Sequence, residues 1–338
     1  MEIMELNPAH HFKGKNILVT GGTGSFGYQV VNRLLSFEPQ KIVIFSRDEK
    51  KQVDMQKDLE AHSSTLQYVL GDVRDYEKVR EAMGGIDIVF HAAALKQVPN
   101  CEFHPMEAVK TNILGAENVR RAALDNDVEV VVAISTDKAV KPVNVMGMTK
   151  AIQEKIFLHA APELKVPRRK TRFICVRYGN VIGSRGSVIP FFKERILSAL
   201  PIPVTSYGMT RFLLRLPEAV ELVFFATMTG ENKTLFVRKM PACYILDLAK
   251  VMAKALTGNA HYPIHEVGIR PGEKVHEVLV SEEEMRRAVE KENYYIIYPS
   301  LEENHFYDAR EVKEFASNTT HILSQEEIKD LLRKENWM

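Results

Sequence analysis

The sequence predicts an α/β fold in which a doubly wound parallel sheet carries helices on both of its faces. Short apolar runs rich in β-branched residues alternate with helical patterns from Asn16 to Arg177, and a glycine-rich turn ends the first run. Strands separated by helices form right-handed βαβ units, which build parallel sheets. After about Tyr178 the alternation fades and Pro and Gly become frequent, so we expect a smaller α/β lobe there.

Each predicted strand is a short apolar run bounded by polar or turn residues. In chain order, the six predicted strands are 16–20, 41–46, 66–70, 87–91, 128–135 and 172–177. Apolar residues recur at helical spacing between them, most clearly at 26–35 and along the crossover 109–124. Two later helices are predicted at 217–229 and 245–256.

Composition and charge favour a globular protein that acts on a small molecule. The chain has 338 residues and is 45% hydrophobic, which is enough to bury a large core. Lys and Arg number 45 against 44 for Asp and Glu, so no net field draws the protein to nucleic acid or to an anionic membrane. No apolar run approaches the roughly 20 residues of a membrane-spanning helix, and the N-terminal segment lacks an apolar signal core. Cys101, Cys175 and Cys243 are far apart and odd in number, so we expect buried thiols in a reducing, cytoplasmic compartment.

A glycine-rich turn follows the first strand and leads directly into a helix. Gly21, Gly24 and Gly27 recur at three-residue spacing in this turn. Glycines permit a tight turn and close backbone approach, while the helix N-terminus offers free N–H groups to a pyrophosphate. The neighbouring Thr23, Ser25 and Phe26 can add contacts. The pattern predicts a Rossmann-type dinucleotide site, with an ordinary turn as the alternative.

The predicted domain division follows from this turn and from the change in pattern after Tyr178. We expect residues 11–178 to form the dinucleotide-binding domain, completed by a return segment near 217–245. Residues 179–335 are expected to form the substrate-binding lobe.

The end of the second strand bears on the choice between NAD and NADP. An NAD enzyme usually places an acid there for the adenosine ribose, whereas this chain presents Ser46 and Arg47. Arg pairs well with a 2′-phosphate, so NADP is expected, although the adjacent Asp48 keeps NAD as the alternative. Asp72 and Val73, which follow the third strand, are expected beside the adenine.

Polar residues with catalytic potential follow the fifth strand. Thr136, Asp137 and Lys138 lie at the carboxyl edge of the predicted sheet, where ligands bind in open α/β folds. Lys150 comes later on a helix, with Met146 one turn before it on the same face. A tyrosine would normally stand at position 146 to take a proton during hydride transfer. Spacing alone leaves open two alternatives, namely that Asp137 and Lys138 are an exposed helix-capping pair and that Met146 is a packing residue.

Eight motifs, spread over almost the whole chain, resemble those of one family. They are GGTGSFG at 21–27, FSRDE at 45–49, HAAALKQVP at 91–99, STDKA at 135–139, RYGNV at 177–181, RGSVIP at 185–190, MTRF at 209–212 and RPGEK at 270–274. On these residues the chain resembles an extended short-chain dehydrogenase/reductase. Within that superfamily it is similar to the CapD-like, configuration-inverting UDP-N-acetylglucosamine 4,6-dehydratases of polysaccharide biosynthesis. Met146 in place of the usual tyrosine resembles the soluble CapE-like subgroup.

The resemblance implies a lyase reaction with a role for each polar residue after the fifth strand. Hydride leaves C-4 of the sugar and returns to C-6, while the C-5 proton and the C-6 hydroxyl are lost. Lys138 is implied as the base at C-5, with a pKa lowered towards neutrality, and Asp137 as the acid for the hydroxyl. Thr136 is implied at the C-4 oxygen and Lys150 at the nicotinamide ribose. Because Met146 cannot accept the C-4 proton, Asp137, Lys138 or a water on Lys150 remain candidates for that step.

Return of a proton to the opposite face of C-5 would give UDP-2-acetamido-2,6-dideoxy-β-L-arabino-hex-4-ulose. The resemblance places the UDP-N-acetylhexosamine in the second lobe, with Arg211 and Arg270 at the diphosphate and Glu273 at the uridine ribose. Further candidates for the sugar and its phosphates are Lys96, Asn180, Ser187 and Val188. Further candidates beside the cofactor are Ala92, Ala93, Lys96 and Asn112. The family also implies a homo-oligomer, for which a hexamer is the precedent.

Two other functions stay open. An NAD(P)-dependent UDP-sugar 4-epimerase would use the same cofactor and nucleotide sites, but it would leave Asp137 and Lys138 without a clear task. A non-catalytic NADP-binding sensor would explain the missing tyrosine but not the retained Asp137, Lys138 and Lys150. No His, Cys or carboxylate cluster has metal-ligand spacing, so no metal is expected.

Overall fold

Helices and strands alternate along the part of the chain that the computed structural model describes, which comprises residues 7–158, 171–184, 186–299 and 311–338. The strands are β1 (Asn16–Thr20), β2 (Lys41–Ser46), β3 (Leu66–Leu70), β4 (Ile88–His91), β5 (Val130–Ile134), β6 (Arg172–Arg177), β7 (Asn180–Val181), β8 (Ile202–Val204), β9 (Thr210–Leu214), β10 (Thr234–Arg238), β11 (Ala242–Tyr244), β12 (Ile264–Glu266), β13 (Val278–Val280), β14 (Ala288–Glu290), β15 (Tyr294–Ile297) and β16 (Phe315–Ala316). The helices are α1 (Pro8–Phe12), α2 (Ser25–Leu35), α3 (Glu49–Asp58), α4 (Tyr76–Ala82), α5 (Val98–Phe103), α6 (Pro105–Ala108), α7 (Gly115–Asp125), α8 (Val145–Leu158), α9 (Val188–Leu197), α10 (Leu216–Thr229), α11 (Ile245–Thr257), α12 (Glu282–Met285) and α13 (Gln325–Lys334). Single 3-10 turns lie at Glu60–His62 and Asp137–Ala139, and a π-helical segment spans Val109–Leu114.

The central sheet confirms the predicted fold class. Within the described residues, its nine strands lie in the order β14-β15-β10-β6-β5-β4-β1-β2-β3. The strands from β10 to β3 in this order are parallel. At one edge, β15 pairs antiparallel with β10, and β14 pairs antiparallel with β15. The chain runs outward from β1 to β3 and then returns to β4 on the other side of β1. This reversal makes the boundary between β1 and β4 the switch point at which open α/β sheets bind ligands.

All six predicted strands are present, and four of them have the predicted bounds. The run 87–91 shortens by one residue to β4, although the Asp87 N–H still donates to the Asn16 carbonyl at 2.8 Å. The run 128–135 shortens to β5 because the Val128 N–H still donates to the Ala123 carbonyl, at 3.0 Å, at the end of α7.

The predicted crossover helix 109–124 is divided into the π-helical segment and α7. In the π-helical segment, the Asn112 amide donates to the Leu95 carbonyl and to Thr149 Oγ1, both at 3.0 Å, and its Oδ1 accepts from the Leu95 N–H at 2.8 Å. Gly115 begins α7 where a Cβ would come 2.7 Å from the Val73 side chain. Hydrophobic spacing reports only which face is buried, so it could not distinguish this segment from an ordinary α-helix.

The second half of the chain contributes to the central sheet and also builds a separate core. In the return segment near 217–245, α10 is followed by β10, which pairs in parallel with β6. The helices α9, α11 and α13 enclose a second hydrophobic cluster. The division at 178 between two domains stays a prediction.

The three cysteines are free and buried, as predicted. Burial raises the pKa of Cys243 to about 12 and that of the Cys175 thiol well above its ordinary value, so neither is a reactive thiolate. Across the described ranges, no helix combines the length and the apolar character needed to cross a lipid bilayer.

A buried ion network around Arg177 joins β6 to α8 and α12. The guanidinium, of which 2% is exposed, donates to Glu154 at 2.6 and 3.0 Å and to Glu284 at 2.9 and 3.0 Å. Burial alone would raise the pKa of Glu284, but the charge and hydrogen bonds of Arg177 lower it to about 2. Each charge in the network is therefore compensated by its partners.

Replacement of Arg177 by Ala should destabilise the fold by about 3–5 kcal/mol, because two buried carboxylates would lose their shared partner. Urea unfolding followed by circular dichroism measures this loss. The matched control is Arg80→Ala, since Arg80 pairs with Glu77 on an exposed helix face and its loss should leave stability unchanged. Equal midpoints for the two variants would contradict the stabilising role of the network.

Candidate active site

The glycine-rich turn brings β1, the start of α2 and the end of β4 together at the switch point. Gly21 has φ +67°, and a Cβ on it would lie 2.9 Å from the backbone N and Cα of Ala93. A Cβ on Gly27 would lie 2.6 Å from the Gly21 carbonyl oxygen, so this position also excludes a side chain. No side chain caps the N-terminus of α2, which leaves its first N–H groups for an anion. These steric and electrostatic features suit the phosphates of a dinucleotide.

The other residues predicted around this turn lie close to it. Thr23 Oγ1 hydrogen-bonds Ser46 Oγ at 2.8 Å, so the two hydroxyls fix the ends of β1 and β2 relative to each other. Ala92 donates to the Thr20 carbonyl at 3.1 Å, continuing the ladder between β1 and β4. Ser25 and Phe26 are half-buried in the first turn of α2.

The end of β2 presents a basic side chain beside an engaged carboxylate. Arg47, of which 53% is exposed, lies 3.6 Å from Asp72, and Arg74 holds the same carboxylate at 2.7 Å. Asp48, the residue that had favoured NAD, instead caps α3 by accepting from the Lys51 N–H at 3.0 Å. Burial alone would raise the pKa of Asp72, but Arg74 and Arg47 lower it below its ordinary value. The end of β2 therefore presents the exposed guanidinium of Arg47 to a ligand, whereas the carboxylate of Asp48 caps α3.

Asp137 and Lys138 form an ion pair in a 3-10 turn at the carboxyl end of β5. Lys138 Nζ lies 3.0 Å from Asp137 Oδ1, and Thr136 Oγ1 donates to the same oxygen at 2.8 Å. The exposed fraction is 1% for the Asp137 side chain and 22% for that of Lys138. The alternative of an exposed helix-capping pair is therefore wrong, because Thr136 caps the turn and Asp137 is buried.

The protonation of Lys138 differs from the expectation of a lowered pKa. Burial alone would lower the pKa of Lys138, but the charges of Asp137 and Glu277 raise it above its ordinary value. Glu277 Oε1 lies 3.3 Å from Lys138 Nζ. In the protein without substrate, Lys138 is thus an ammonium held between two carboxylates. The expectation failed because it could not include a carboxylate from a distant part of the sequence.

Lys150 and Met146 lie one turn apart on α8 but contact different partners. Lys150 Nζ donates to the Ile134 carbonyl at 2.5 Å and to Gln153 Oε1 at 2.7 Å. Burial lowers the pKa of Lys150 to about 8, although the charge of Glu154 opposes this. Met146 packs in a small apolar cluster. Lys150 is therefore the lysine whose pKa approaches neutrality, and Met146 supplies apolar packing where a tyrosine hydroxyl was expected.

Arg211 is directed inward rather than towards an open diphosphate site. Its guanidinium donates to the carbonyls of Thr210, Lys274 and Val275 at 2.7, 2.8 and 3.1 Å. Its Nε lies 3.9 Å from Glu277. Backbone carbonyls thus engage three of the five N–H donors of this guanidinium. The role of Arg211 at the diphosphate stays a prediction.

Three of the predicted substrate residues present polar atoms that lack a protein partner. Within the described ranges, Asn180 Oδ1, Ser187 Oγ and Glu273 Oε2 are buried without a hydrogen bond. Such atoms are costly unless water or a ligand satisfies them. Other predicted substrate positions are half-buried or exposed, namely Lys96, Val188 and Arg270. Arg185, from one of the resemblance motifs, lies outside the described residues.

Glu277 is the functional candidate that the sequence analysis missed. Only 2% of it is exposed, and it faces the cations of Lys138, Arg211 and Lys274. A glutamate three residues after Lys274 has no distinctive spacing to any predicted catalytic residue. Only the packing of the segment before β13 against the turn after β5 reveals it.

Comparison with known proteins identifies relatives along almost the whole chain. A family model described as "Polysaccharide biosynthesis protein" matches residues 17–299. A Rickettsia bellii protein named UDP-glucose 4-epimerase is 46% identical over 335 residues, covering 95% of this chain and 96% of the relative. A Rickettsia conorii protein of the same name is 44% identical over 334 residues, covering 95% of this chain and 96% of the relative.

Solved structures share the fold. The X-ray structure of Pen from Bacillus thuringiensis has a TM-score of 0.89 at 36% identity, covering 97% of this chain and 99% of that chain. DesIV, a dTDP-glucose 4,6-dehydratase from Streptomyces venezuelae, has a TM-score of 0.68 at 18% identity, covering 77% of this chain and 86% of that chain. At that identity DesIV shows the common fold alone. From the family match and the rickettsial relatives, we conclude that the chain belongs to the polysaccharide biosynthesis protein family.

Proposed function

We propose that this protein is an NADP-dependent UDP-N-acetylglucosamine 4,6-dehydratase that inverts C-5. The observation that carries the proposal is the Asp137–Lys138 pair at the carboxyl end of β5, a strand next to the switch point. Reversible hydride transfer at C-4 needs a group that takes the hydroxyl proton, but it has no use for a second group that takes a proton from carbon. Elimination of water next to an acidified carbon requires both.

The residues around the glycine-rich turn fit a dinucleotide. The close approach of Gly21 to Ala93 leaves no room for a side chain, and the N-terminus of α2 has unpaired N–H groups for phosphate. Bound NADP would take hydride from C-4 of the sugar and return it to C-6, so the cofactor is regenerated in each turnover. The exposed guanidinium of Arg47 supports NADP, because it can pair with a 2′-phosphate.

Thr136 and Asp137 offer a route for the proton of the C-4 hydroxyl. Thr136 Oγ1 donates to Asp137 Oδ1 at 2.8 Å, so a proton accepted by Thr136 passes directly to the carboxylate. This relay takes the part of the absent tyrosine at position 146. Asp137, now protonated, gives the same proton to the C-6 hydroxyl, which leaves as water.

Lys138 removes the proton from C-5 after oxidation at C-4 has made that proton acidic. It must first lose its own proton to solvent, because an ammonium cannot act as a base. Closure of the site over the sugar and protonation of Asp137 both favour the neutral amine, the first by desolvation and the second by removing one negative charge. A proton from solvent, delivered to the opposite face of C-5, then completes the inversion, while the proton that Lys138 took from C-5 stays on its amine until the next turnover.

The UDP moiety is assigned to the second half of the chain. The unpartnered atoms of Asn180, Ser187 and Glu273 support a polar ligand there, since each would gain a hydrogen bond on binding. Exposed Arg270 remains the proposed diphosphate partner. Arg211 is assigned to positioning of the segment before β13.

The second candidate is a UDP-sugar 4-epimerase, and the names of the rickettsial relatives favour it. An epimerase would return hydride to C-4 and retain the C-6 hydroxyl. It would use the cofactor turn and the relay from Thr136 to Asp137, but it would leave Lys138 without a chemical purpose.

Incubation of the protein with NADP and UDP-N-acetylglucosamine in deuterated water distinguishes the two. We expect NMR and mass spectrometry to show loss of water, deuterium at C-5 and an L-arabino ring. Formation of a 4-epimer that retains its 6-hydroxyl would contradict the dehydratase and favour the epimerase. Unchanged substrate despite NADP binding would contradict both activities on this sugar.

Replacement of Lys138 by Ala should lower turnover about 10²–10⁴-fold, because the base at C-5 is lost. NADP affinity should stay the same, since Lys138 does not belong to the cofactor turn. Turnover by mass spectrometry and NADP titration by calorimetry measure the two effects. Lys141→Ala is the matched control, because Lys141 lies on the same loop but pairs with exposed Glu282. Equal turnover in the two variants would exclude Lys138 as the base.

Replacement of Arg47 by Ala should weaken NADP binding by about tenfold or more while leaving NAD binding unchanged, because only NADP carries the 2′-phosphate. Titration of both cofactors by calorimetry measures the preference. Lys57→Ala, which removes a positive charge from the end of α3, is the control for net charge. An equal loss of affinity for both cofactors would contradict the NADP assignment.

A further inference from the structure

Glu277 is fixed in place before it meets any ligand. Its backbone N–H donates to Ser317 Oγ at 2.9 Å, and Ser317 Oγ in turn hydrogen-bonds Thr210 Oγ1 at 2.7 Å. Thr210 also bonds His276 Nδ1 at 2.8 Å. Hydroxyls from β9 and from the chain after β16 thus hold both residues of the 276–277 segment.

The Glu277 side chain points into the cluster of charges around Lys138. Its Oε1 lies 3.3 Å from Lys138 Nζ and 3.9 Å from Arg211 Nε, and its Oε2 lies 3.6 Å from Lys274 Nζ. Asp137, in the same 3-10 turn as Lys138, lies 3.0 Å from Lys138 Nζ through its Oδ1. In the described part of the chain, Asp137 Oδ2 and Glu277 Oε2 are both buried without a hydrogen bond. The Lys138 ammonium therefore lies between two carboxylates that each retain an unused acceptor.

We propose that Glu277 is a positioning residue that holds Lys138 in the site and sets the pH at which this lysine becomes a base. The proposal rests on the proposed function, in which neutral Lys138 removes the C-5 proton. Asp137 belongs to the turn of Lys138 itself, whereas Glu277 comes from the segment before β13. Glu277 therefore makes the reactivity of Lys138 depend on the packing of the second half of the chain against β5.

The sign of the effect follows from the charges that face Lys138. Asp137 and Glu277 raise its pKa, whereas burial and Arg211 lower it. Burial alone would raise the pKa of Glu277, but Lys138, Arg211 and Lys274 lower it, so Glu277 is a carboxylate at neutral pH. Glu277→Gln keeps the shape but removes the charge. Lys138 should then release its proton at a lower pH, and the rising limb of the activity–pH profile should move to lower pH.

Competitive acetylation followed by mass spectrometry tests this without any sugar substrate. At a fixed, mildly alkaline pH, the acetylation rate of Lys138 relative to that of Lys141 reports the fraction of neutral amine. We expect Glu277→Gln to raise this ratio about tenfold, which corresponds to a fall of about one pKa unit. Glu277→Asp, which keeps the charge, should leave the ratio near that of the unaltered protein. Glu283→Gln is the matched control, since Glu283 is exposed and pairs with Arg287.

An unchanged ratio in Glu277→Gln would overturn the proposal, and so would an equal rise in the Gln and Asp variants, because shape rather than charge would then control Lys138. The activity–pH profile of C-5 deuterium incorporation separates this from failure of the proposed function. A raised acetylation ratio with an unmoved pH profile would exclude Lys138 as the C-5 base. That outcome would still support the pairing of Lys138 with Glu277.

Discussion

The pairing of the Lys138 ammonium with two buried carboxylates is the interaction on which the geometry of the site depends. A charge in this position is costly unless it is paired, and removal of one partner from a buried pair typically costs about 3–5 kcal/mol. Asp137 provides the first partner from the end of β5 and Glu277 provides the second from the segment before β13. The turn after β5 and the second half of the chain are therefore held together by the charges that the proposed chemistry would use.

Two lysines near the sheet edge have pKa values displaced in opposite directions. Burial lowers the pKa of Lys150 to about 8, and its ammonium donates to the Ile134 carbonyl and Gln153. Carboxylates raise the pKa of Lys138 despite its burial. In the proposed mechanism Lys138 must lose its proton when substrate enters, whereas the pKa of Lys150 is already close to neutral pH. This difference gives the proposed dehydratase a base that is inactive until the site is occupied.

Local physics explains why much of the fold could be predicted. The runs that form β1, β2, β3 and β6 are β-branched and end at turn residues, so their bounds follow from the sequence. The glycine turn was equally predictable, since the φ of Gly21 favours glycine and its approach to Ala93 leaves no room for a Cβ. The π-helical segment was not, because the side chain that interrupts the regular helix bonds to residues from other elements.

The proximity of the proposed catalytic residues could be predicted from the sequence, whereas their electrostatics could not. Thr136, Asp137 and Lys138 lie together because they are adjacent in sequence at the end of one strand. The inward direction of Arg211 and the presence of Glu277 depend on contacts between segments far apart in sequence, which no spacing rule contains. The pKa of Lys138 is raised, rather than lowered as had been expected, for the same reason.

The family is established, and the pairing of buried Asp137 with Lys138 supports the proposed elimination over the epimerisation named for the rickettsial relatives. The most direct measurement uses UDP-N-acetylglucosamine deuterated at C-4 and locates the label in the product by NMR. Our account predicts that the deuterium moves to C-6 of a 4-keto-6-deoxy sugar, since the hydride returns after water has left. Deuterium that returns to C-4 of a sugar with an intact 6-hydroxyl would contradict the dehydratase and establish the epimerase.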